Sequence, residues 1–175
     1  ARKQKADHSG LPITPLELAG AAVECRDAGA SMIHLHVRNI EGGHSLDVYA
    51  YREAIAAVRS AVGDEMIIQV TTEAVGIYSI DQQIQMVQEL KPEAVSLAVR
   101  ELCPLAENEI KAASFFAWLQ KERVAAQYIL YSAKDVQRFD ALRRSGVIPG
   151  DTVSALYVLG RYSEGGASSA VGQVP

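Results

Sequence analysis

Apolar positions along the chain follow two alternating spacings, which predict a repeating series of strands and helices. Five short runs are apolar on both faces, as in a parallel sheet covered by helices. These predicted strands are SMIHLHVR, MIIQVTTE, AVSLAVRE, AAQYILYS and SALYVLGR, at residues 31–38, 66–73, 94–101, 125–132 and 154–161. The segments between them repeat apolar residues every three to four positions, which is the spacing of an amphipathic helix.

The predicted helices carry local signals at their ends. Pro15 suits a first helical position, and Gly29 is placed to end the first helix. The predicted N-terminal caps are Thr14 with Glu17, Ser79 with Gln82, and Ser132 with Asp135. The residues expected to face inward are Ala54, Ile55, Val58 and Val62; Ile80, Ile84, Val87 and Leu90; Ile110, Ala113, Phe116 or Ala117, and Leu119 or Gln120; Val136, Phe139 and Leu142.

The length of each strand–helix unit limits the fold class. The repeat is about thirty residues, which fits a (β/α)8 barrel as well as an open doubly wound sheet. No GxGxxG stretch follows any predicted strand, and the spacing alone does not choose between the two folds. The Gly/Ser-rich residues 162–175 lack periodicity and are predicted to form a flexible loop.

Composition excludes several kinds of partner. The formal net charge is −4 and no long basic run occurs, which argues against nucleic acid or an acidic membrane surface as partner. No apolar stretch approaches the ~20 residues of a membrane span. The basic start ARKQK is followed by polar residues and not by the apolar region of a signal peptide. Cys25 and Cys103 have no metal-type spacing, so we expect reduced thiols in a cytoplasmic protein.

Polar residues gather where the predicted strands end. In parallel α/β folds the functional site lies at the carboxyl ends of the strands. The predicted strand ends are His36-Val37-Arg38, Thr71-Thr72-Glu73, Arg100-Glu101, Tyr131-Ser132 and Gly160-Arg161. This arrangement predicts a polar site at one edge of an apolar sheet.

His34 and His36 stand two positions apart in the first predicted strand, so both side chains point to one face. Two imidazoles so placed can bind one divalent metal; zinc suits them, and manganese, iron, cobalt or nickel can also be held. Arg38 on the same face can grip a carboxylate with two parallel hydrogen bonds. The alternative is a pair of core histidines bonded to their neighbours.

A catalytic metal site needs a third protein ligand. His8 and His44 are candidates, although we expect both to be surface or loop histidines. Glu73 and Glu101 are the other candidates, and the residues alone leave the choice open.

Several stretches resemble the β-keto acid cleavage enzymes, the family that includes 3-keto-5-aminohexanoate cleavage enzyme. They are LPITPLELAGAAVECRDAGASMIHLHVRN, IIQVTT, KPEAVSLA and LYVLGR, in the same order as in the family. The resemblance implies a (β/α)8 TIM barrel, of which this chain covers roughly strands two to six, with a bound divalent metal, most often zinc. It also implies condensation of a β-keto acid with acetyl-CoA and cleavage to acetoacetate and a new acyl-CoA.

The resemblance also implies roles for single residues. His34 and His36 match the two histidine ligands of the family's metal, and Thr71 and Ser96 match its substrate-site hydroxyls. Together with the strand-end pattern this gives the following predicted site: Thr71, Ser96 and Glu101 as catalytic residues, Arg38, Thr72 and Glu73 as substrate-binding residues, and His34 and His36 as metal ligands.

The chain departs from the family pattern in several ways. The family's third ligand, a glutamate in a Gly-Phe-Glu-type stretch, has no counterpart here. Gln127 stands where many members have a glutamate, and the acidic residue of the first strand is replaced near Arg2. We expect residues 1–175 to be one incomplete barrel domain of a longer, homo-oligomeric polypeptide. A protein limited to these residues is expected to be inactive, because it lacks the third ligand and the loops after strands seven and eight that often bind phosphate. It is also expected to be poorly soluble, because strand edges stay unpaired.

Two other functions compete with this hypothesis. A metal-dependent aldolase or isomerase on the same barrel would share the metal and Arg38 but would not need CoA. A non-catalytic fragment or paralogue would retain His34 and His36 only as core residues.

Overall fold

A computed structural model describes residues 3–159 of the chain. The strands are β1 Met32–Leu35, β2 Val37–Arg38, β3 His44–Ser45, β4 Ile67–Thr71, β5 Ala94–Ala98, β6 Ala125–Leu130 and β7 Ser154–Tyr157. The helices are α1 Pro15–Asp27, α2 Val48–Val62, α3 Ile80–Leu90, α4 Val99–Leu102, α5 Glu109–Glu122 and α6 Ala133–Arg144, with a 3-10 turn at Ala106–Asn108.

The protein has an α/β fold. Its larger sheet has the strand order β1-β4-β5-β6-β7, and β2 and β3 form a separate pair. The chain divides into two compact units, one up to Val95 and one from Ser96 onward, so that the division falls within β5. Both units contain parallel strand pairs, as the apolar strand patterns predict.

In the first unit, β1 and β4 run parallel, with His34 opposite Gln69 in the register. Helix α1 packs on α2. These helices and strands bury apolar residues that include Ala22, Val58, Ile68 and Val70.

The first predicted strand is interrupted, so its prediction as one continuous strand over residues 31–38 is wrong. Parallel pairing ends at Leu35, and His36 lies outside both strands. The chain then turns back, so that β2 and β3 pair antiparallel with Arg38 opposite His44. Asn39 closes the connecting turn, since its side-chain oxygen accepts the Gly43 N–H at 2.7 Å. A hairpin therefore follows β1, and Arg38 belongs to this hairpin and not to the parallel sheet.

In the second unit, β6 and β7 are parallel and α5 buries an aromatic and aliphatic face. The prediction of a strand over residues 94–101 is wrong at its end, because β5 stops at Ala98 and α4 begins at once. Arg100 and Glu101 therefore lie on a short helix. Arg100 is held there by Asp135, whose Oδ2 accepts its NH2 at 2.7 Å.

The helix starts follow the local sequence signals closely. Both predicted capping boxes, Thr14 with Glu17 and Ser79 with Gln82, are confirmed, and the Ser132 side chain accepts the Asp135 N–H. The inward faces are confirmed only in part. Ala54, Val58, Val62, Ile84, Val87, Phe116, Leu119 and Leu142 are buried, whereas Ile55, Ile80, Leu90, Ala113, Val136 and Phe139 are half-buried. Ile110 is 84% exposed, so its inward assignment is wrong.

Ser79→Ala is expected to lower the free energy of unfolding by about 1 kcal/mol, because the Gln82 N–H at the start of α3 loses its side-chain acceptor. Chemical denaturation of the variant measures this loss. Ser60→Ala, an exposed change in the last turn of α2, is the matched control and should be neutral or slightly stabilising. Equal effects of both changes would contradict the capping role.

The remaining sequence expectations concern the C-terminal residues, the cysteines and membrane-spanning helices. The predicted loop at residues 162–175 and the predicted strand end Gly160-Arg161 lie outside the described residues. Cys25 is exposed and Cys103 is buried, and both are free thiols. Across residues 3–159, no helix combines the length and the apolar character needed to cross a membrane.

Candidate metal centre

His34 and His36 bring two ring nitrogens together at the end of β1. The Nε2 atoms of the two rings are 3.0 Å apart. The other nitrogen of His34, Nδ1, lies 2.8 Å from Oε1 of Gln69, its partner in the β1–β4 register. Since neighbouring residues in register project from the same side of a parallel pair, the sheet itself places Gln69 beside His34.

Glu73 lies just beyond the end of β4. Its backbone N–H and its carbonyl oxygen both form hydrogen bonds. Its N–H donates to Oγ1 of Thr71 at 3.0 Å. Its carbonyl oxygen accepts from Nε2 of His44 at 2.7 Å. The segment is thereby fixed, and the Glu73 carboxylate oxygen Oε2 lies 3.7 Å from Nδ1 of His36.

These side chains form a donor set that fits a divalent metal. Ligand-type atoms of His36, His44 and Glu73 all lie within 4.8 Å of one another. Among the residues that the structure describes, Nδ1 of His36 and Nδ1 of His44 are buried without a hydrogen-bond partner. Imidazole nitrogens with a carboxylate oxygen suit zinc and related transition metals, and an ion would satisfy such buried atoms. This arrangement is an alternative to an ion between the Nε2 atoms of His34 and His36, because it uses the other ring nitrogen of His36.

The surroundings keep the imidazoles neutral. Burial lowers the pKa of His34, His36 and His44, because the charged ring loses more hydration than the neutral one. The pKa of His36 falls to about 3, first through burial and then through repulsion from His34. The neutral ring is the form that binds a metal, so these histidines are in the required state at neutral pH.

His44 differs from its sequence prediction as a surface or loop histidine, which is wrong. It belongs to β3 and is only 7% exposed, with its ring against Tyr78 at 5.9 Å between centroids. The hydroxyl oxygen of Tyr78 also accepts the Leu46 N–H at 3.3 Å. His8, the other histidine expected at the surface, is exposed.

The other predicted site residues are distributed over both units. Thr71 and Thr72 are buried at the end of β4, beside Glu73. The Arg38 guanidinium lies in the hairpin and donates to the carbonyl oxygens of Lys3 at 2.9 Å and Gly42 at 3.4 Å. Ser96 is buried in β5 and Glu101 lies on α4, both in the second unit.

Gln69 is a site residue that the sequence analysis missed. It is 3% exposed and lies in the middle of the apolar strand β4. A buried amide needs hydrogen-bond partners, so a glutamine within IIQVTT was itself a signal. The period of two also places it on the same strand face as Thr71.

Comparison with known proteins identifies the family. Residues 1–174 match the sequence pattern of the β-keto acid cleavage enzyme. The chain is 35% identical over 97 residues to 3-keto-5-aminohexanoate cleavage enzyme of Fusobacterium nucleatum, a match that covers 55% of this chain and 35% of the relative. It is 43% identical over 56 residues to 3-dehydrocarnitine:acetyl-CoA trimethylamine transferase of Rhizobium meliloti, covering 30% of this chain and 18% of the relative. The matched segments thus span about a third or less of these relatives' length.

A solved structure, D-glucarate dehydratase from Agrobacterium tumefaciens complexed with magnesium, superimposes on 76% of this chain and 33% of its own, with a TM-score of 0.47 and 20% identity. That likeness is too distant to support a conclusion. The sequence match, in contrast, extends over almost the whole chain and includes both histidines of HLHVR. The chain therefore belongs to the β-keto acid cleavage enzyme family.

Proposed function

We propose that this chain supplies the metal-binding part of an enzyme that condenses a β-keto acid with acetyl-CoA and cleaves the product to acetoacetate and a new acyl-CoA. The proposal extends the family membership to an activity. It is supported by the names of the relatives, which include a 3-keto-5-aminohexanoate cleavage enzyme and an acetyl-CoA transferase. The complete (β/α)8 barrel expected from the resemblance is part of the same proposal.

The observation that carries the proposal is the pair of Nε2 atoms of His34 and His36, 3.0 Å apart. Two neutral imidazole nitrogens at this separation can share one ion, for which zinc is the proposed identity. The metal would polarise the substrate keto oxygen and so favour carbon–carbon bond formation and cleavage. His34 and His36 would hold it, and partial burial, which lowers the pKa of both rings, favours their neutral form.

The remaining predicted residues would bind and orient the substrate. The Thr71 hydroxyl oxygen accepts from the Glu73 N–H, so its own hydrogen can be donated to a substrate oxygen. Arg38 is anchored by main-chain oxygens of Lys3 and Gly42 and is proposed to bind the substrate carboxylate. Thr72 is proposed to assist this binding, and Ser96 and Glu101 are proposed as further catalytic groups.

The test is a coupled assay for acetoacetate with acetyl-CoA and a panel of β-keto acids, run on residues 1–175 and on a longer natural polypeptide that contains them. At least one β-keto acid is expected to yield acetoacetate with the longer polypeptide, whereas residues 1–175 alone are expected to be inactive. A chelator should remove the activity, and Zn²⁺ should restore it.

The same assay separates the competing functions. Turnover of the β-keto acid without acetyl-CoA would replace the proposal by an aldolase or isomerase. Absence of turnover with every substrate, in a protein loaded with zinc, would favour a non-catalytic role.

A further inference from the structure

The turn that follows Glu73 has a backbone conformation that its sequence does not favour. Val75 and Gly76 both have positive φ, at +46° and +79°. The Ile77 N–H donates to the carbonyl oxygen of Ala74 at 3.0 Å, so residues 74–77 have the pattern of a type I′ turn. Asn, Asp and Gly are the usual residues at the first central position of such a turn, which Val75 occupies here.

Val75 is therefore a strained residue. In the left-handed region Cβ comes too close to the backbone carbonyl, and a β-branched residue is a clear outlier there. Contacts of Tyr78 hold the turn in place: its N–H also donates to the Ala74 carbonyl oxygen at 3.2 Å, and its hydroxyl oxygen accepts the Leu46 N–H at 3.3 Å. Strained residues are concentrated at functional sites, and this one lies two positions after Glu73.

The loops that border the candidate metal centre both expose apolar side chains. Ile40, at the tip of the hairpin that carries Arg38, is fully exposed, and Ile77 in the turn is 67% exposed. Val75 between Glu73 and Ile77 is half-buried. Apolar surface is thus present at the same edge of the first unit as the centre, where the chain of a substrate would lie.

We propose that Val75 is a specificity-determining residue, which contacts the uncharged alkyl chain of a β-keto acid and is kept in an unfavourable turn for that contact. The inference rests on the proposed function, since it names the substrate class of the same site. It also explains why the turn carries Val where Asn would fit its backbone better.

A substrate with a cationic chain is the alternative, because a carboxylate lies nearby. The Glu73 carboxylate is only 12% exposed, however, and it faces Nδ1 of His36 at 3.7 Å. The side chains that the bordering loops present to solvent at Ile40 and Ile77 are apolar. An ammonium group placed against them would lose hydration without a compensating partner.

The kinetic test uses the longer natural polypeptide, with acetyl-CoA and either 3-oxohexanoate or its 5-amino derivative. These two substrates have the same chain length and differ by one ammonium group. The wild type is expected to have the higher kcat/KM for 3-oxohexanoate. Val75→Asn is expected to lower that kcat/KM by about 10-fold, and to change the value for the amino derivative much less.

A stability measurement separates this effect from damage to the fold. Denaturant unfolding of the same polypeptide is expected to show an unfolding equilibrium constant about 5- to 30-fold lower in Val75→Asn, because Asn adopts the turn without strain. A variant that is more stable than the wild type cannot owe its loss of activity to unfolding. Opposite signs of the two effects are therefore the signature of the proposed role.

Gly76→Ala is the matched control for the shape of the turn. Gly76 has a φ of +79°, and an added Cβ would meet no other atom within 4 Å, so the change adds backbone strain without a new contact. It is expected to raise the unfolding equilibrium constant by about 5-fold or more. Its preference between the two substrates should remain that of the wild type.

Each other result contradicts the proposal in a different way. A wild-type preference for the amino derivative would assign the site to cationic substrates. An unchanged preference in a stabilised Val75→Asn variant would remove Val75 from substrate choice and leave the proposed function intact. Equal changes of preference in Val75→Asn and Gly76→Ala would assign the effect to the turn and not to the side chain. A wild type that forms no acetoacetate would remove the proposed function and this inference together.

Discussion

His36→Ala is expected to lose its bound metal. The ring lies between two sets of neighbours, with Nε2 3.0 Å from His34 and Nδ1 3.7 Å from Glu73. Removal of the ring therefore deletes a donor whichever of its nitrogens holds the ion. We expect Zn²⁺ affinity to fall by more than about 100-fold, because even the loss of an outer-shell partner costs about 10- to 100-fold.

Elemental analysis of protein purified by gel filtration measures the effect of this change. The wild type should carry a divalent metal, and His36→Ala should carry only background amounts. His8→Ala, which removes an exposed histidine, should retain the wild-type metal content. Equal metal content in His36→Ala and the wild type would contradict a site at this residue.

The Asp135→Ala variant is expected to unfold more easily than the wild type, by about 2–4 kcal/mol. The Asp135 carboxylate accepts bonds from Arg100 Nε and NH2 at 3.0 and 2.7 Å, and from the Tyr131 N–H at 2.8 Å. It is 8% exposed, whereas Arg100 is 33% exposed. Breaking a buried pair costs about 3–5 kcal/mol, and partial hydration of the Arg100 side chain reduces this figure.

Denaturant unfolding of Asp135→Ala measures this loss. Asp140→Ala is the matched control, because Asp140 lies on the same helix and pairs with Arg144 at the surface. Exposed pairs contribute only about 0–1 kcal/mol, so this variant should unfold nearly like the wild type. If both variants lost the same free energy of unfolding, the buried contact of Asp135 with Arg100 would contribute no more to stability than an exposed ion pair.

The features that the sequence predicted correctly depend on short stretches of chain. The capping boxes at Thr14 and Ser79 need only residues three positions apart, so their signals are complete in the sequence. His34 and His36 were also expected to lie close together from their spacing of two positions, and their Nε2 atoms are 3.0 Å apart. Their role as metal ligands stays a prediction.

The features that the sequence did not predict depend on contacts across the chain. His44 follows a Gly-Gly turn and resembles a loop residue, but Tyr78 and the Glu73 carbonyl bury it from 29 or more positions away. Arg100 lies on α4 and not in a strand, and its partner Asp135 lies 35 positions on. Ile110 fits the helical period, yet packing selects the face with Phe115 and Leu119 instead. Local patterns carry no information about such distant partners.

The break between β1 and β2 has a consequence for the dynamics of the site. His34 belongs to the parallel sheet, whereas His36 leads into a hairpin whose strands are two residues each. So short a hairpin is expected to open locally far more often than the sheet. An ion shared by the two rings would tie the hairpin to the sheet, and the free energy of binding would be added to that of hairpin closure. Amide hydrogen exchange from Val37 to Ser45 would then slow as zinc is added, while exchange in β4 would change little.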